Sequence, residues 1–303
     1  MRWIILISLL VFHGDLALSA ELIIYPDAPP PYNEAFSQMI AGIEQSRGTP
    51  AATLALKKNY QNSDLQHWLS THRSPTGDSA LILLGAQSLQ AGIQMDAGLP
   101  LVVGGTTHLP NHVKAAGVSL VIDPNLFFQT LDALLPTTHD VIVFYNARNS
   151  FILPPIMDAA TQHGMTLHTI PITDAIDAIR KISQVFEQTD VRRTAFWFTL
   201  DTLELDTTLL FPFVLEKTWD LRIPAFSGII SHTQRGLLFS LYPDFFQLGE
   251  ELGARTTATL AGAPPIFTPT HAAHLALNTR TAQHLSITLP PELTKQAVLF
   301  PAR

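Results

Sequence analysis

Short polar patches follow short apolar runs along this 303-residue chain, and their residue types suit binding better than bond-breaking. In the first part the candidates are Tyr32 and Asn33, Gln87 and Ser88, and Thr106 and Thr107. In the second they are Asn146 and Asn149, Asp201 and Thr202, and Ser227, with Tyr242 and Asp244 further on. Amides and hydroxyls offer the fixed hydrogen bonds that a zwitterion or a heterocycle needs, while Tyr32 and Tyr242 can stack on an apolar part. Asp201 can pair with an ammonium group. The same residue types also serve turns and helix N-caps, so each candidate has a purely structural reading beside the binding one. Three prolines at 29–31 fix a stiff path that holds Tyr32 in place, or simply stop a strand and start a helix.

Catalytic signals are missing. There is no Gly-x-Ser-x-Gly elbow, no Walker loop and no Gly-x-Gly-x-x-Gly after the first strand, and Gly104-Gly105 is too short to be a phosphate loop. Glu250-Glu251 read as a solvated helix face. Of twelve histidines, His108 and His112 are four apart and His271 and His274 three apart, spacings that can put two rings on one helical face. Pro110 interrupts the first pair, and neither has a carboxylate within the same few residues, so surface histidines are expected and neither a metal nor a cofactor is.

The elements that must position the candidates follow from periodicity. Apolar runs of four to six residues alternate with longer amphipathic stretches, the pattern of parallel βα units. Strands are expected at 22–25, 52–56, 80–84, 101–103 and 119–122, with helices at 33–45, 63–72 and 86–94 between them and Ser63 as an N-cap. The pattern restarts at 141–145, with strands at 167–170, 194–199 and 225–227 and helices at 154–163, 174–187 and 207–218. The C-terminal part reads as a strand, a crossover, a long helix closed at Gly262, a second crossover, a strand ending at Asn278 and a final helix. In open α/β sheets ligands sit beyond the carboxyl ends of strands, which is the rule that selects the polar loops named above.

Composition sets the limits. A hydrophobic content of 47% against 14% charged residues describes large buried cores. The net charge of −7, with no basic run longer than Lys57-Lys58 or Arg192-Arg193, argues against a nucleic-acid partner. No cysteine is present, so there is no disulfide, thiolate metal site or lipid-anchoring cysteine. Arg2, an apolar core at 3–12 and small residues at 18–20 read as a signal peptide over 1–20, which implies export to the periplasm.

Several segments carry a resemblance in their order and spacing. They are Asp123-Pro124 after a strand, Leu134-Leu135-Pro136, Asp201 after Trp197-Phe198-Thr199-Leu200, and Ile223-Pro224-Ala225-Phe226-Ser227. They continue through Gly236–Asp244, Gly249, Pro264-Pro265, Leu275–Asn278 and Thr281-Ala282. Together they resemble the ABC-transporter substrate-binding proteins with the type I periplasmic-binding fold. That resemblance implies an α/β protein of two Rossmann-like lobes with parallel sheets, joined by a three-crossing hinge. The first lobe would be 21–122 plus 244–263 and the second 124–242 plus 270–303, with crossings near Asp123-Pro124, Tyr242-Pro243 and 262–269. It implies a small-molecule solute and, as partner, a membrane permease or alternatively a membrane sensor. Two features depart from the pattern. A Gly-rich stretch usual between the Asp-Pro and the second-lobe helix is missing, so 125–138 runs almost directly into the second lobe. Leu285-Ser286 stands where a Leu-Gly pair is usual.

Overall fold

The computed structural model describes residues 21–74, 79–95, 97–199 and 207–302. The expected signal segment 1–20 and Asp201 with Thr202 lie outside the described residues. Two sheets organise the rest. The first is six-stranded. It contains β1 (Leu22–Pro26), β2 (Ala52–Leu56), β3 (Leu81–Leu84), β4 (Leu101–Gly104), β5 (Ala116–Ile122) and β11 (Phe267–Thr270), in the order β11-β5-β4-β3-β1-β2 and all parallel. Helices α1 (Tyr32–Arg47), α2 (Asn62–His72), α3 (Ala86–Met95) and α9 (Phe245–Leu260) belong to this lobe.

The second sheet has seven strands. They are β6 (Asp140–Tyr145), β7 (Thr166–Pro171), β8 (Thr194–Phe198), β9 (Ala225–Ser227), β10 (Phe239–Pro243), β12 (Ala273–Asn278) and β13 (Val298–Phe300). Their order is β13-β12-β10-β9-β8-β6-β7, and β10 with β12 is its one antiparallel pair among the described residues. Its helices are α4 (Pro124–Leu134), α5 (Leu153–Gln162), α6 (Ala175–Glu187), α7 (Thr207–Asp220), α8 (Ile230–Arg235), α10 (Thr279–His284) and α11 (Pro291–Gln296).

Strand composition follows position in the sheet. All four side chains of β3 (Leu-Ile-Leu-Leu) are buried, because helices cover both faces of a central parallel strand. Along β1 the pleat sends Leu22 and Ile24 to one apolar cluster and Ile23 to the other. At the sheet edges the pattern loosens: β7 (Thr-Leu-His-Thr-Ile-Pro) has no fully buried residue. Helix α1 and helix α9 approach almost backbone to backbone. A Cβ on Gly42 would lie 2.0 Å from the Phe246 carbonyl oxygen, and one on Gly249 would lie 2.2 Å from that of Met39.

The chain passes between lobes three times. It does so at Asp123, at Asp244 and at His271-Ala272. The third passage lies just beyond the expected 262–269 segment, because residues 267–270 form β11 on the edge of the first sheet. The passages are tied side by side: the Asp123 amide donates to the Thr270 carbonyl at 2.8 Å and the Asp244 amide to that of Ala272 at 3.1 Å. Two further local corrections concern caps and charges. Helix α2 begins at Asn62 with Gln61 in the cap position, so Ser63 lies inside its first turn. Glu251 is not a solvated face. Its carboxylate accepts from the Thr270 hydroxyl at 2.7 Å and from the His271 amide at 3.0 Å, which pins the third passage to α9.

Candidate interlobe binding site

A cavity of about 220 Å³ lies where the carboxyl ends of both sheets face each other. The first lobe contributes Thr107 after β4 and Leu120, Val121 and Ile122 at the end of β5. The second contributes Pro124 and Phe127 on α4, Ile152 and Ile156 at the start of α5, Trp197, Phe198 and Thr199 at the end of β8, and Gly228 after β9. Pro243, at the second passage, closes the floor. Strand ends and helix starts meet here because a parallel βα unit always turns at the carboxyl edge of its sheet, and two such edges face one another.

The cavity exists in this form because α4 starts at the hinge itself. Pro124 takes the first helical position, where its missing N–H costs nothing, and the Asp123 carboxylate caps the Asn125 amide at 2.8 Å. With no Gly-rich connection in between, the first turn of α4 brings Phe127 straight to the cleft. Phe127 lies 4.4 Å from Trp197, ring centre to ring centre, and Trp197 lies 5.2 Å from Phe226. The rings are tilted, and all three belong to the second-lobe core.

Of the eight residues named as principal candidates, none lines this cavity among the described residues, and seven of them are described. Tyr32 is 67% exposed at the start of α1. Asn33 is exposed, and its carbonyl accepts from the Ser37 hydroxyl at 3.0 Å. Gln87 donates to the Lys57 carbonyl at 3.2 Å and so ties two loops of the first lobe. Asn146 forms a turn, its amide donating to Asn149 Oδ1 at 2.9 Å while its side-chain oxygen accepts from the Arg148 amide at 2.8 Å. Thr106 donates to the His108 carbonyl at 3.2 Å. Tyr242 is half-buried with its ring 5.4 Å from His274, and burial beside Asp244 pushes its phenol above the ordinary value. Asp244 itself caps α9 through the Gln247 amide at 3.0 Å.

Ser227 is fully buried. Its hydroxyl lies 3.1 Å from His232 Nδ1 and 3.2 Å from the Ser240 hydroxyl, which in turn meets Thr233 Oγ1 at 2.5 Å. Burial, with Arg235 adding to it, holds the His232 imidazole down to about 4, so this network is built around a neutral ring. Thr107, Gly228 and Pro243 line the cavity directly after Thr106, Ser227 and Tyr242. Thr107 itself belonged to the wider set of polar candidates. The apolar members, Phe127, Ile152, Ile156 and Trp197, had no sequence signal separating them from ordinary core.

The histidines at 271 and 274 each meet a carboxylate. His271 Nε2 lies 2.9 Å from Asp123 and His274 Nε2 lies 3.2 Å from Asp244, so each ring joins a different passage of the hinge. No group of three or more His, Cys, Asp or Glu side chains able to hold a metal occurs among the described residues. No helix among them is long and apolar enough to cross a membrane.

Solved structures share this architecture at low sequence identity, which speaks to the fold alone. A ligand-free, open substrate-binding protein with adhesive properties from Clostridium difficile matches with a TM-score of 0.64 and 14% identity, over 94% of this chain and 100% of that one. An ABC domain from Streptococcus pneumonia in complex with L-Trp matches with a TM-score of 0.53 and 17% identity, over 93% and 99%. A periplasmic ribose ABC transporter protein from Conexibacter woesei matches with a TM-score of 0.53 and 11% identity, over 89% and 95%. No curated protein matches the sequence. The fold is thus the type I periplasmic-binding fold, and the family described as ABC transporter substrate binding protein matches over residues 58–299, well over half of the chain, so the chain belongs to that family.

Proposed function

We propose that this protein captures a small solute between its two lobes and delivers it to the membrane permease of an ABC transporter. The observation that carries the reading is the cavity at the carboxyl edges of both sheets, walled by both lobes and floored by a hinge passage. A solute there touches both lobes at once only when they are close, so its binding energy favours the closed form over the open one. The lobes are 21–122 with the chain through Thr270, and 124–242 with the chain from Ala273 onward. Residues 1–20 act as a signal peptide that sends the protein to the periplasm. The protein works by binding, in keeping with a family of substrate-binding proteins rather than enzymes. Thr106 and Tyr242, each next to a residue that lines the cavity, contribute polar groups beside it.

The test is a thermal-shift screen of the chain from Glu21 onward against amino acids, nucleobases, sugars, oxyanions and divalent metals. A ligand at one hundred times its dissociation constant adds about 2.7 kcal/mol, which for a protein of this size raises Tm by roughly 4–5 °C. One clear hit supports capture. Silence across the panel removes it.

The second reading is a periplasmic protein of the same fold that signals to a membrane sensor. The direct run from Asp123 into α4, without the Gly-rich stretch, favours it because fewer backbone donors reach the cleft. Uptake of the solute hit in cells lacking the protein separates the two. Transport predicts that uptake falls, and sensing predicts that uptake persists while the response to the solute is lost.

A further inference from the structure

Away from the three passages, the lobes also meet at a pair of rings. His108, in the loop after β4, and Phe151, in the turn before α5, lie 4.9 Å apart, ring centre to ring centre, with their planes tilted by 37°. His108 belongs to the first lobe and Phe151 to the second. Each is the chain neighbour of a cavity residue, Thr107 on one side and Ile152 on the other. Both rings are themselves exposed, Phe151 by 38%. The pair therefore stands at the rim, between the cavity and solvent.

Each ring is braced within its own lobe. The Ser119 hydroxyl donates to the Thr107 carbonyl at 2.8 Å and the Leu120 amide to that of Thr106 at 2.8 Å, which fixes the loop to the end of β5. Thr106 Oγ1 donates to the His108 carbonyl at 3.2 Å, and Thr107 Oγ1 lies 3.1 Å from His108 Nδ1, which orients the imidazole. On the facing side the Ile152 amide donates to the Asn149 carbonyl at 3.1 Å and the Ser150 hydroxyl to that of Ala147 at 3.2 Å. The Ile152 side chain is buried in the second-lobe core, so Phe151 is presented by an anchored turn. Rings held in this way lose little freedom when they meet.

Aromatic pairs attract over centre-to-centre distances of about 4.5–7 Å. Hinge opening that parts the rims by a few ångströms carries this pair out of that range. The contact is thus made in the closed arrangement alone, and a contact made in one of two states shifts the balance toward it. We propose that His108 and Phe151 form a latch that biases the lobes toward the closed arrangement before any solute arrives. At the strength usual for aromatic pairs, the latch multiplies the closed-to-open ratio roughly two- to tenfold. Less of a solute's binding energy is then spent on closure, and solute enters through the molecules whose latch is open. The latch goes beyond solute capture and does not depend on it.

The chain has no cysteine, so Gln90→Cys on α3 and Asp158→Cys on α5, both exposed, take one nitroxide label each. The experiment is pulsed double electron–electron resonance on the ligand-free chain from Glu21 onward, which reads the distance between the lobes. A short distance should dominate in the labelled background. His108→Ala and Phe151→Ala should each raise the ratio of long to short distances roughly two- to tenfold. The double variant should raise it no further than the larger single one, because both substitutions remove the same contact. The Tm should stay within a few degrees throughout, since both rings are exposed. A variant that does not fold is replaced by His108→Gln or Phe151→Leu, which remove the ring and keep a side chain.

Distances that stay unchanged in both single variants overturn the latch. So does a labelled background in which the long distance already dominates, or a double variant whose effect is the product of the two single ones. Failure of the latch leaves solute capture standing, and silence of the solute panel leaves the distances to decide the latch.

Discussion

The two lobes share the order of their first five strands but not a filling. The buried core of the first lobe is aliphatic, built from Leu, Ile, Val and Ala with Met39, and α1 meets α9 through glycines. The second is aromatic. Phe127, Phe128, Trp197, Phe226 and Phe239 fill one side of its sheet, and Phe144, Phe186, Phe196, Phe198 and Phe211 fill the other. On the proposed reading of the cleft, the difference puts specificity in the second lobe. An aliphatic lobe with a close-packed helix pair makes a smooth rigid cover, while the aromatic lobe carries its rings from the core to the cleft and sets what can lie there. Between them the hinge is the polar region: Glu251, Asp123 and Asp244 all take hydrogen bonds at the passages.

This contrast can be broken at several points. The largest effect is expected in the first lobe. Gly42→Val places a side chain where the Phe246 carbonyl lies 2.0 Å from the Cβ position, so α1 and α9 must separate and the lobe must repack. Loss of more than about 4 kcal/mol or failure to fold is expected, read by urea denaturation. Phe127→Ala comes next. It deletes a ring that is 3% exposed and part of the second-lobe core, at a cost of roughly 3–5 kcal/mol, and it removes one cleft wall. A midpoint shift that leaves solute binding unchanged would detach the aromatic core from the cleft.

Smaller effects are expected in the polar parts. Glu251→Ala leaves the Thr270 hydroxyl and the His271 amide without their acceptor, a loss of about 1.5–3 kcal/mol that concerns the hinge rather than either core. In His232 the folded protein favours the neutral ring, held at about 4, while the unfolded chain takes up its proton near the ordinary value of about 6.5. The unfolded state therefore binds more protons between these values. The contribution of His232 is complete above about pH 6.5 and is lost as pH falls toward 4, by on the order of 2 kcal/mol. His232→Gln should flatten the fall of Tm between pH 6.5 and 4.5; an unchanged slope would assign it to other groups. The smallest effect is His271→Ala. This pair with Asp123 is exposed, and about 1 kcal/mol or less is expected at pH 6, again by denaturation.

Much of the fold was legible because parallel βα units write themselves as buried runs, and β1, β3, β6 and β8 all follow such runs. What escaped was non-local. β11 reads as the loop of a passage, since Phe267-Thr-Pro-Thr has no strand pattern of its own and is a strand only because β5 offers an edge. β13 is three residues long and is fixed by pairing with β12. Glu251 looked solvated because the groups it serves lie nineteen and twenty residues on. The site was half legible. The rule of strand carboxyl ends leads to the edge of each sheet where the cavity lies, while the polar residues it selects include Ser227 and Asn146, whose hydrogen bonds serve core and turn. Among the apolar lining residues described, such as Phe127 and Ile156, binding residues and core residues are the same types, and only their place in space distinguishes them.

The central claim is that solute binds between the lobes in the cavity of Phe127, Trp197 and Val121. It is tested most directly by running the thermal-shift panel on the wild-type chain and Gly228→Leu side by side. At least one small compound should raise the Tm of the wild type by several degrees and leave that of Gly228→Leu unmoved. An equal rise in both proteins, or a rise in neither, would contradict the claim.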